Sequence, residues 1–367
     1  MIFDEVQTFP KEILLPTISM LKNVKELMRT SFLFCTATQP AFEKREKFDG
    51  IETITPLIDN PSEIFEKIRR VEFHFIQDLQ PINLNNLLDT ASMTNGSVLT
   101  IFNTKKAAYE FFEVIKKTNY WEKAYHLSTA MCPAHRKLTI KQIRSDLKNG
   151  NKIIVSSTQL IEAGVDFDFP CVMRALAPLE SIIQSAGRCN RENKLPEYGK
   201  VYLFQLEDNG MPDKTYHACA EHAKNLIQSD ISRLHNHNFF KEYYSQVVDL
   251  FVDPDKNKIM SAQENFNFKT VNDAYRVIQR ATEGLFIYHY NEDSRDMIHS
   301  IKDTKEFLTR DDYRELQQYT VQVYQNFIFQ NSDSCIMLPQ GIRVWYGNYD
   351  QNTGISVKAL EVDKSIV

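Results

Sequence analysis

Two carboxylates, Asp4 and Glu5, follow directly on the apolar Met1-Ile2-Phe3, which places both at the tip of a short buried strand. Carboxylates so placed suit nucleotide hydrolysis: the first holds Mg²⁺ through water and the second orients the attacking water. A phosphate-cradling G-x-x-x-x-G-K-[ST] loop is expected upstream of such a strand, and no such run occurs in the 367 residues. The chain therefore reads as the downstream part of an ATPase that begins at its magnesium carboxylates.

A second group lies in Gln184-Ser185-Ala186-Gly187-Arg188-Cys189-Asn190-Arg191. Read as a helix from Glu180 to Asn190, it sets Gln184, Arg188 and Arg191 at i, i+4 and i+7 on one face, while Gly187 permits close backbone approach. Two fixed guanidiniums suit a transferring phosphoryl group, where an arginine finger is worth about 10³ to 10⁵ in rate. An isolated R-x-x-R is more often a solvated helix face, but here it follows a second motif, Ser156-Ser157-Thr158-Gln159-Leu160-Ile161-Glu162-Ala163-Gly164-Val165-Asp166. That run leaves an apolar strand, presents hydroxyls, and turns at Gly164 before Asp166, which can accept a hydrogen bond from a ribose or from a neighbouring arginine. The plainer alternative for its Ser and Thr residues is helix capping.

The elements needed to position these groups are legible. Apolar residues Leu14, Leu15, Ile18, Leu21, Val24 and Leu27 recur at threes and fours, predicting a helix over 12–29, and Ser31 to Cys35 reads as a strand ending in Thr36-Ala37-Thr38. Farther on, strands at 98–102, 124–127, 152–156, 171–174 and 200–205 alternate with helices at 105–117, 136–148 and 180–190, the order of a doubly wound parallel sheet. Ligands in such sheets sit at the carboxyl ends of the strands, where this chain carries Asn103-Thr104, Ser128-Thr129 and Ser157-Thr158. The expected class is α/β with doubly wound parallel sheets: a truncated first domain (1–65), a complete second one (66–215), and a mainly helical accessory domain (216–367).

Five runs together resemble superfamily 2 helicases, and in particular the CRISPR-associated helicase-nuclease of type I interference systems. They are Asp4-Glu5-Val6-Gln7, Cys35 through Pro40, Leu127 through Arg136, Ser156 through Asp168, and Gln184 through Arg191, in the order of motifs II, III, IVa, V and VI. The Thr-Ala-Thr-Gln-Pro and Met-Cys-Pro-Ala-His-Arg runs favour this family over helicases in general. The resemblance implies ATP and Mg²⁺ as cofactors, with Asp4 and Glu5 on the metal and the hydrolytic water, and Thr36 and Thr38 coupling hydrolysis to movement. It implies that Gln184, Arg188 and Arg191 sense the γ-phosphate, that Gly164 and Asp166 serve the nucleotide or the arginines, and that Thr104, Ser128, Arg136 and Thr158 grip single-stranded DNA. Gln7 stands where many members have His, and its amide can still bridge motifs. The partners implied are single-stranded DNA, the type I CRISPR surveillance complex and a separately encoded upstream half, because the glycine-rich loop and the HD nuclease are absent from these residues. The isolated chain is then expected to be inactive. Two other readings stay open: a helicase fragment outside CRISPR, and a non-catalytic module that docks to DNA or to the complex.

Composition adds little. The chain has no apolar run long enough to span a bilayer and an acidic amino terminus, so a soluble, cytoplasmic protein without a membrane is expected. Six cysteines lack C-x-x-C spacing, and His235-Asn236-His237 has no nearby third ligand, so no metal cluster is assigned beyond the carboxylates. The aromatic group Phe239, Phe240, Tyr243 and Tyr244 has the spacing of a helical core rather than a base-stacking platform. A net charge of -5 neither supports nor excludes a polynucleotide partner.

Overall fold

The computed structural model describes residues 1–36, 42–46, 48–162, 164–208, 210–250, 255, 257–276, 282–304 and 307–356. In chain order the first elements are β1 (Ile2–Asp4), α1 (Leu14–Met28), β2 (Leu33–Cys35) and α2 (Pro61–Lys67). Next come β3 (Val71–Phe75), β4 (Pro81–Ile82), α3 (Leu84–Ser92), β5 (Val98–Phe102), α4 (Lys105–Ile115), β6 (Lys123–Leu127) and α5 (Pro133–Lys148). They lead into β7 (Ile153–Thr158), β8 (Cys171–Ala175), α6 (Leu179–Ala186), β9 (Gly199–Leu206), α7 (Lys214–Ile227) and α8 (His237–Leu250). The remainder holds α9 (Ile259–Glu264), α10 (Phe268–Ala274), β10 (Thr282–Ile287), α11 (Glu292–Thr304), α12 (Arg310–Gln317), β11 (Thr320–Tyr324) and α13 (Gln325–Gln330). Four short strands close it: β12 (Cys335–Met337), β13 (Arg343–Trp345), β14 (Tyr349–Asp350) and β15 (Gly354–Ile355). No helix of the described residues is long and apolar enough to cross a membrane.

These elements form two compact units, neither continuous in sequence. One comprises Met1–Arg69, Ala177–Gln184 and Lys214–Gln279; the other comprises Arg70–Leu176, Ser185–Asp213 and Arg280–Val367. Residues 216–367 thus divide between the two.

In the first unit β1 and β2 pair in parallel with α1 as their crossover, the strand-helix-strand order expected, with Asp4 opposite Cys35. Leu14 and Ile18 of α1 pack with Val6, Phe42 and Phe48, and the helix ends where Arg29 turns left-handed at φ 50°. Phe239, Phe240, Tyr243 and Tyr244 of α8 are all buried, so the aromatic group is core, as its helical spacing indicated. Tyr243 donates its hydroxyl to the Cys219 carbonyl at 3.2 Å, which satisfies the polar end of an otherwise apolar contact.

The second unit is built on a parallel sheet in the order β3-β9-β8-β5-β7-β6, with β4 also pairing with β9. Every residue of β5 and β8 is buried, which is why both read as continuous apolar runs: helices cover a parallel sheet on both faces. Leu87 and Ala91 of α3 and Phe111 and Ile115 of α4 pack against Val98, Phe102, Met173 and Phe204. The helix expected from Arg136 begins three residues earlier because Pro133, with φ already fixed and no N–H to lose, occupies its first turn. Helices predominate beyond residue 216, but the second unit also contains a mixed sheet, β11-β10-β13-β12, that sequence patterning did not disclose. Its β12 and β13 are three residues each, too short to display alternation.

Among the described residues the fully buried arginine is Arg174 on β8, at 0% exposure. Its Nε lies 3.1 Å from the Glu162 carboxylate, and one terminal nitrogen donates to Asn103 Oδ1 at 2.7 Å and to the Ala175 carbonyl at 3.0 Å. Glu162 in turn accepts from the Ser185 hydroxyl at 3.1 Å. Removing one member of a buried pair strands the other charge, so Arg174→Ala should lower the stability of the fold by about 3 to 5 kcal/mol in urea titrations, with much of the loss recovered by adding Glu162→Gln. A single-variant loss below about 1 kcal/mol in the same titration would contradict a buried ionic pair.

His126 and His135 are buried, and desolvation first of all holds both imidazoles down to about 4, against a smaller opposing pull from Asp350. In the unfolded chain they take up protons near pH 6.5, in the folded one only near pH 4, so stability is present above the higher value and falls as pH drops between the two. Denaturant midpoints measured from pH 7 to pH 5 should decline steadily, before the carboxylates begin to titrate. A flat midpoint over that window would mean that these imidazoles are solvated.

Candidate nucleotide and nucleic-acid sites

The first unit gathers residues from three separated motifs around one carboxylate. Parallel pairing of β1 with β2 brings Thr36, just beyond Cys35, level with Glu5. The Gln7 side chain is 2% exposed; its amide nitrogen donates to Glu5 Oε2, and its amide oxygen accepts from the Thr36 hydroxyl. Gln184 Nε2 donates to the same Glu5 oxygen at 3.2 Å. Glu5 itself has φ 53°, a left-handed conformation costly for a residue with a side chain, and its N–H is held by Asp4 Oδ1 at 3.0 Å. The result is a carboxylate with one oxygen oriented by two amides. Thr38 lies outside the described residues.

Asp4 is exposed beside it. Among the described residues no group of three or more His, Cys, Asp or Glu side chains converges as a metal cage. Two strand-tip carboxylates, leaving the remaining positions to water and phosphate oxygens, are a donor set that fits Mg²⁺, which sheds its water reluctantly and binds through one or two carboxylates.

The second unit holds the arginines, in an arrangement that departs from the expected helix. α6 stops at Ala186, so Gln184, Arg188 and Arg191 do not share one helical face. The chain is drawn out of helix because residues 188–190 bridge Phe169: the Phe169 N–H donates to the Arg188 carbonyl at 3.0 Å and the Asn190 N–H to the Phe169 carbonyl at 2.9 Å. Asn190 then turns left-handed, and Asp168 accepts from the Arg191 N–H at 2.6 Å. Arg188 is 8% exposed and donates to the Ile161 and Glu162 carbonyls at 2.8 and 2.6 Å, lacing the motif V loop to motif VI. Arg191 is the more open guanidinium, 2.6 Å from Asp166. Gly164 adopts φ 72°, a conformation that favours glycine, and so permits the turn that delivers Asp166.

Strand register explains how the hydroxyls reach one edge. Phe102 is opposite Thr158 and Leu127 opposite Ser157, so Asn103-Thr104, Ser128 and Thr158 all emerge at the carboxyl end of the sheet. Thr104 caps α4, accepting from the Ala107 N–H at 3.3 Å. Ser128 is fully buried, with its oxygen shared between His126 Nε2 at 3.0 Å and the Ala130 N–H at 3.2 Å, so it organises the loop from inside. Thr158 makes no capping bond to the turn it precedes. Arg136 donates to the Met131 carbonyl at 3.1 Å. Burial first, and Arg136 second, push the Lys105 ammonium below its ordinary value. No carboxylate pairs with Lys105 among the described residues. Two cations close enough to repel, with no carboxylate paired to Lys105 among the described residues, favour an anion nearby.

Arg174, Glu162 and Asp168 were not among the residues singled out from the sequence. A charged residue within the apolar run Cys171-Val172-Met173-Arg174-Ala175 was the available signal for the first, since a charge in a fully buried strand requires a partner. His237 stacks edge-on against Phe65 and Phe240.

Residues 94–194 match the family model described as CRISPR-associated nuclease/helicase Cas3, C-terminal. A Cas3 from Haloferax volcanii is 41% identical over 85 residues, 22% of this chain and 9% of that protein. Another, from Methanothermobacter thermautotrophicus, is 24% identical over 200 residues, 52% of this chain and 24% of that protein. The crystal structure of T. fusca Cas3 with ATP superposes with a TM-score of 0.66 at 13% identity, covering 96% of this chain and 53% of the other, which establishes the shared fold. The chain thus spans about half of that structure and aligns with smaller shares of the curated relatives. The chain is thus similar to the Cas3 nuclease/helicases of CRISPR systems, most directly over residues 94–194, which match the C-terminal model of that family.

Proposed function

We propose that this chain carries part of the motor of an ATP-driven, 3'-to-5' single-stranded-DNA translocase in CRISPR interference, acting with the surveillance complex. The observation that carries the reading is the convergence of Gln7, Thr36 and Gln184 on Glu5 and its neighbours, three motifs meeting at one carboxylate. Mg²⁺, when held by Asp4, supplies charge neutralisation to the phosphates. Glu5, with Oε2 fixed by two amides, orients the attacking water and accepts its proton on the carboxylate. Thr36 is linked to Glu5 through Gln7, so displacement of that hydroxyl changes the carboxylate's orientation, a route by which hydrolysis couples to movement. Arg191, released from Asp166, meets the charge that develops on the phosphoryl group, while Arg188 keeps motifs V and VI together.

The DNA grip lies in the second unit. Lys105 and Arg136 attract a backbone phosphate, Thr104 and Thr158 add hydroxyl contacts, and Ser128 shapes the loop between them. Such contacts are blind to base identity.

Because the 367 residues contain no phosphate cradle with its lysine, the polypeptide as it stands should hydrolyse ATP negligibly with or without single-stranded DNA. Robust DNA-stimulated turnover that disappears in Glu5→Gln would overturn this. Supplied with a segment that provides the cradle and restores activity, Arg191→Ala should cut turnover by about 10³ or more while leaving DNA affinity nearly unchanged. Loss of DNA binding with normal turnover per complex would instead make Arg191 a nucleic-acid contact.

Binding of labelled homopolymers to the chain should be weak, indifferent to sequence and steeply salt-dependent, and combining Thr158→Ala with Arg136→Ala should lower the salt slope by about 1 for the lost phosphate contact. Tight, salt-insensitive binding to one sequence would replace the backbone grip with a base-reading module.

A further inference from the structure

The loop that carries Ser128 and Arg136 is held in place by a segment more than two hundred positions farther along the chain. β14 and β15 form a small hairpin whose turn is tied by Asp350: its Oδ1 accepts from the Asn352 and Thr353 N–H groups at 2.8 and 2.9 Å and from the Thr353 hydroxyl at 3.0 Å. From this hairpin the Ile355 N–H donates to the Ala130 carbonyl at 2.9 Å. Gly354, at φ 88°, lies so close that a Cβ there would sit 2.2 Å from the same carbonyl oxygen. The Tyr349 hydroxyl, at the other end, accepts from the Cys132 N–H at 3.0 Å and lies 2.9 Å from His135 Nδ1.

The proton positions follow from these distances. An amide can only donate, so the phenol oxygen is the acceptor toward the Cys132 N–H, and its own proton goes to Nδ1 of a neutral His135 at 2.9 Å, with the Cys132 Sγ at 3.5 Å as the weaker alternative acceptor. Burial keeps that imidazole neutral at physiological pH. One hydroxyl thereby ties the first residues of α5 to the hairpin. Arg136 lies one turn beyond Cys132, with its N–H bonded to the Cys132 carbonyl at 3.0 Å and its guanidinium to the Met131 carbonyl at 3.1 Å. The orientation of the Arg136 guanidinium is therefore set by a backbone that Tyr349 and Ile355 hold.

We propose that Tyr349 is a positioning residue of the DNA grip, acting through the 130–136 backbone to set the Arg136 guanidinium against a phosphate. This deepens the reading above and rests on it. The test uses the full chain carrying Tyr349→Phe, which keeps the ring and its packing on Tyr290 and His135 but removes the shared hydroxyl. Binding of labelled oligothymidylate is followed over a salt series, together with amide exchange at Cys132. Tyr349→Phe should speed exchange at Cys132, weaken binding about threefold to tenfold and flatten the salt slope as far as Arg136→Ala does, with the double variant no worse than Arg136→Ala alone. Should Tyr349→Phe fail to fold, Thr353→Ala, which removes the hydroxyl bond to Asp350 that tightens the hairpin turn, should move the same readouts in the same direction.

Arg136→Ala serves to separate the two ideas. If it leaves binding unchanged, the phosphate grip is refuted and the positioning role falls with it. If it weakens binding while Tyr349→Phe, folded and with faster Cys132 exchange, binds as the wild type does, the grip stands and the positioning role is wrong.

Discussion

A buried charge pair sits at the centre of the second unit. Arg174 is wholly desolvated on a central strand, and such a charge is tolerable because Glu162, Asn103 and backbone carbonyls meet it. Its two side-chain partners lie in different loops: Asn103 precedes the Thr104 cap, and Glu162 lies after β7 and also accepts from Ser185 of α6. An apolar replacement could fill the same volume, but it would not specify which loops meet. The cost of leaving either charge unmatched penalises any arrangement in which motif V and motif VI drift apart, and Arg188 reinforces it with two further bonds to the same loop.

The first unit uses a gentler version of the same device. Gln7 is an amide, able to donate at one end and accept at the other, so it links a carboxylate to a hydroxyl without introducing a charge. Such a link is readily made and unmade, so the orientation of the carboxylate can change without separating two charges. The buried ionic pair, by contrast, is expensive to separate and suits a permanent brace.

Much of this was legible in the residues. The apolar run Val98–Phe102 and its counterparts announced a parallel sheet, because strands buried on both faces carry no polar alternation, and their ends predicted where hydroxyls would collect. Less legible were β3 and β4, masked by the prolines around them, and the three-residue strands β12 and β13. The expected helical face of Gln184, Arg188 and Arg191 failed for a definite reason. Periodicity cannot see that Phe169 draws residues 188–190 into a bridge and ends the helix at Ala186.

Local chemistry, then, was written in the order of residues: the paired carboxylates, the hydroxyls at strand ends, the glycine before Asp166 and the arginines after Gly187 depend on neighbours a few positions away. Which of these groups touch was settled by contacts across large separations, Gln184 with Glu5, Arg174 with Glu162, Tyr349 with Cys132 and His135. No short-range pattern encodes such pairings, because they arise when packing of the sheets removes side chains from water and leaves each polar group to find its partner in what remains.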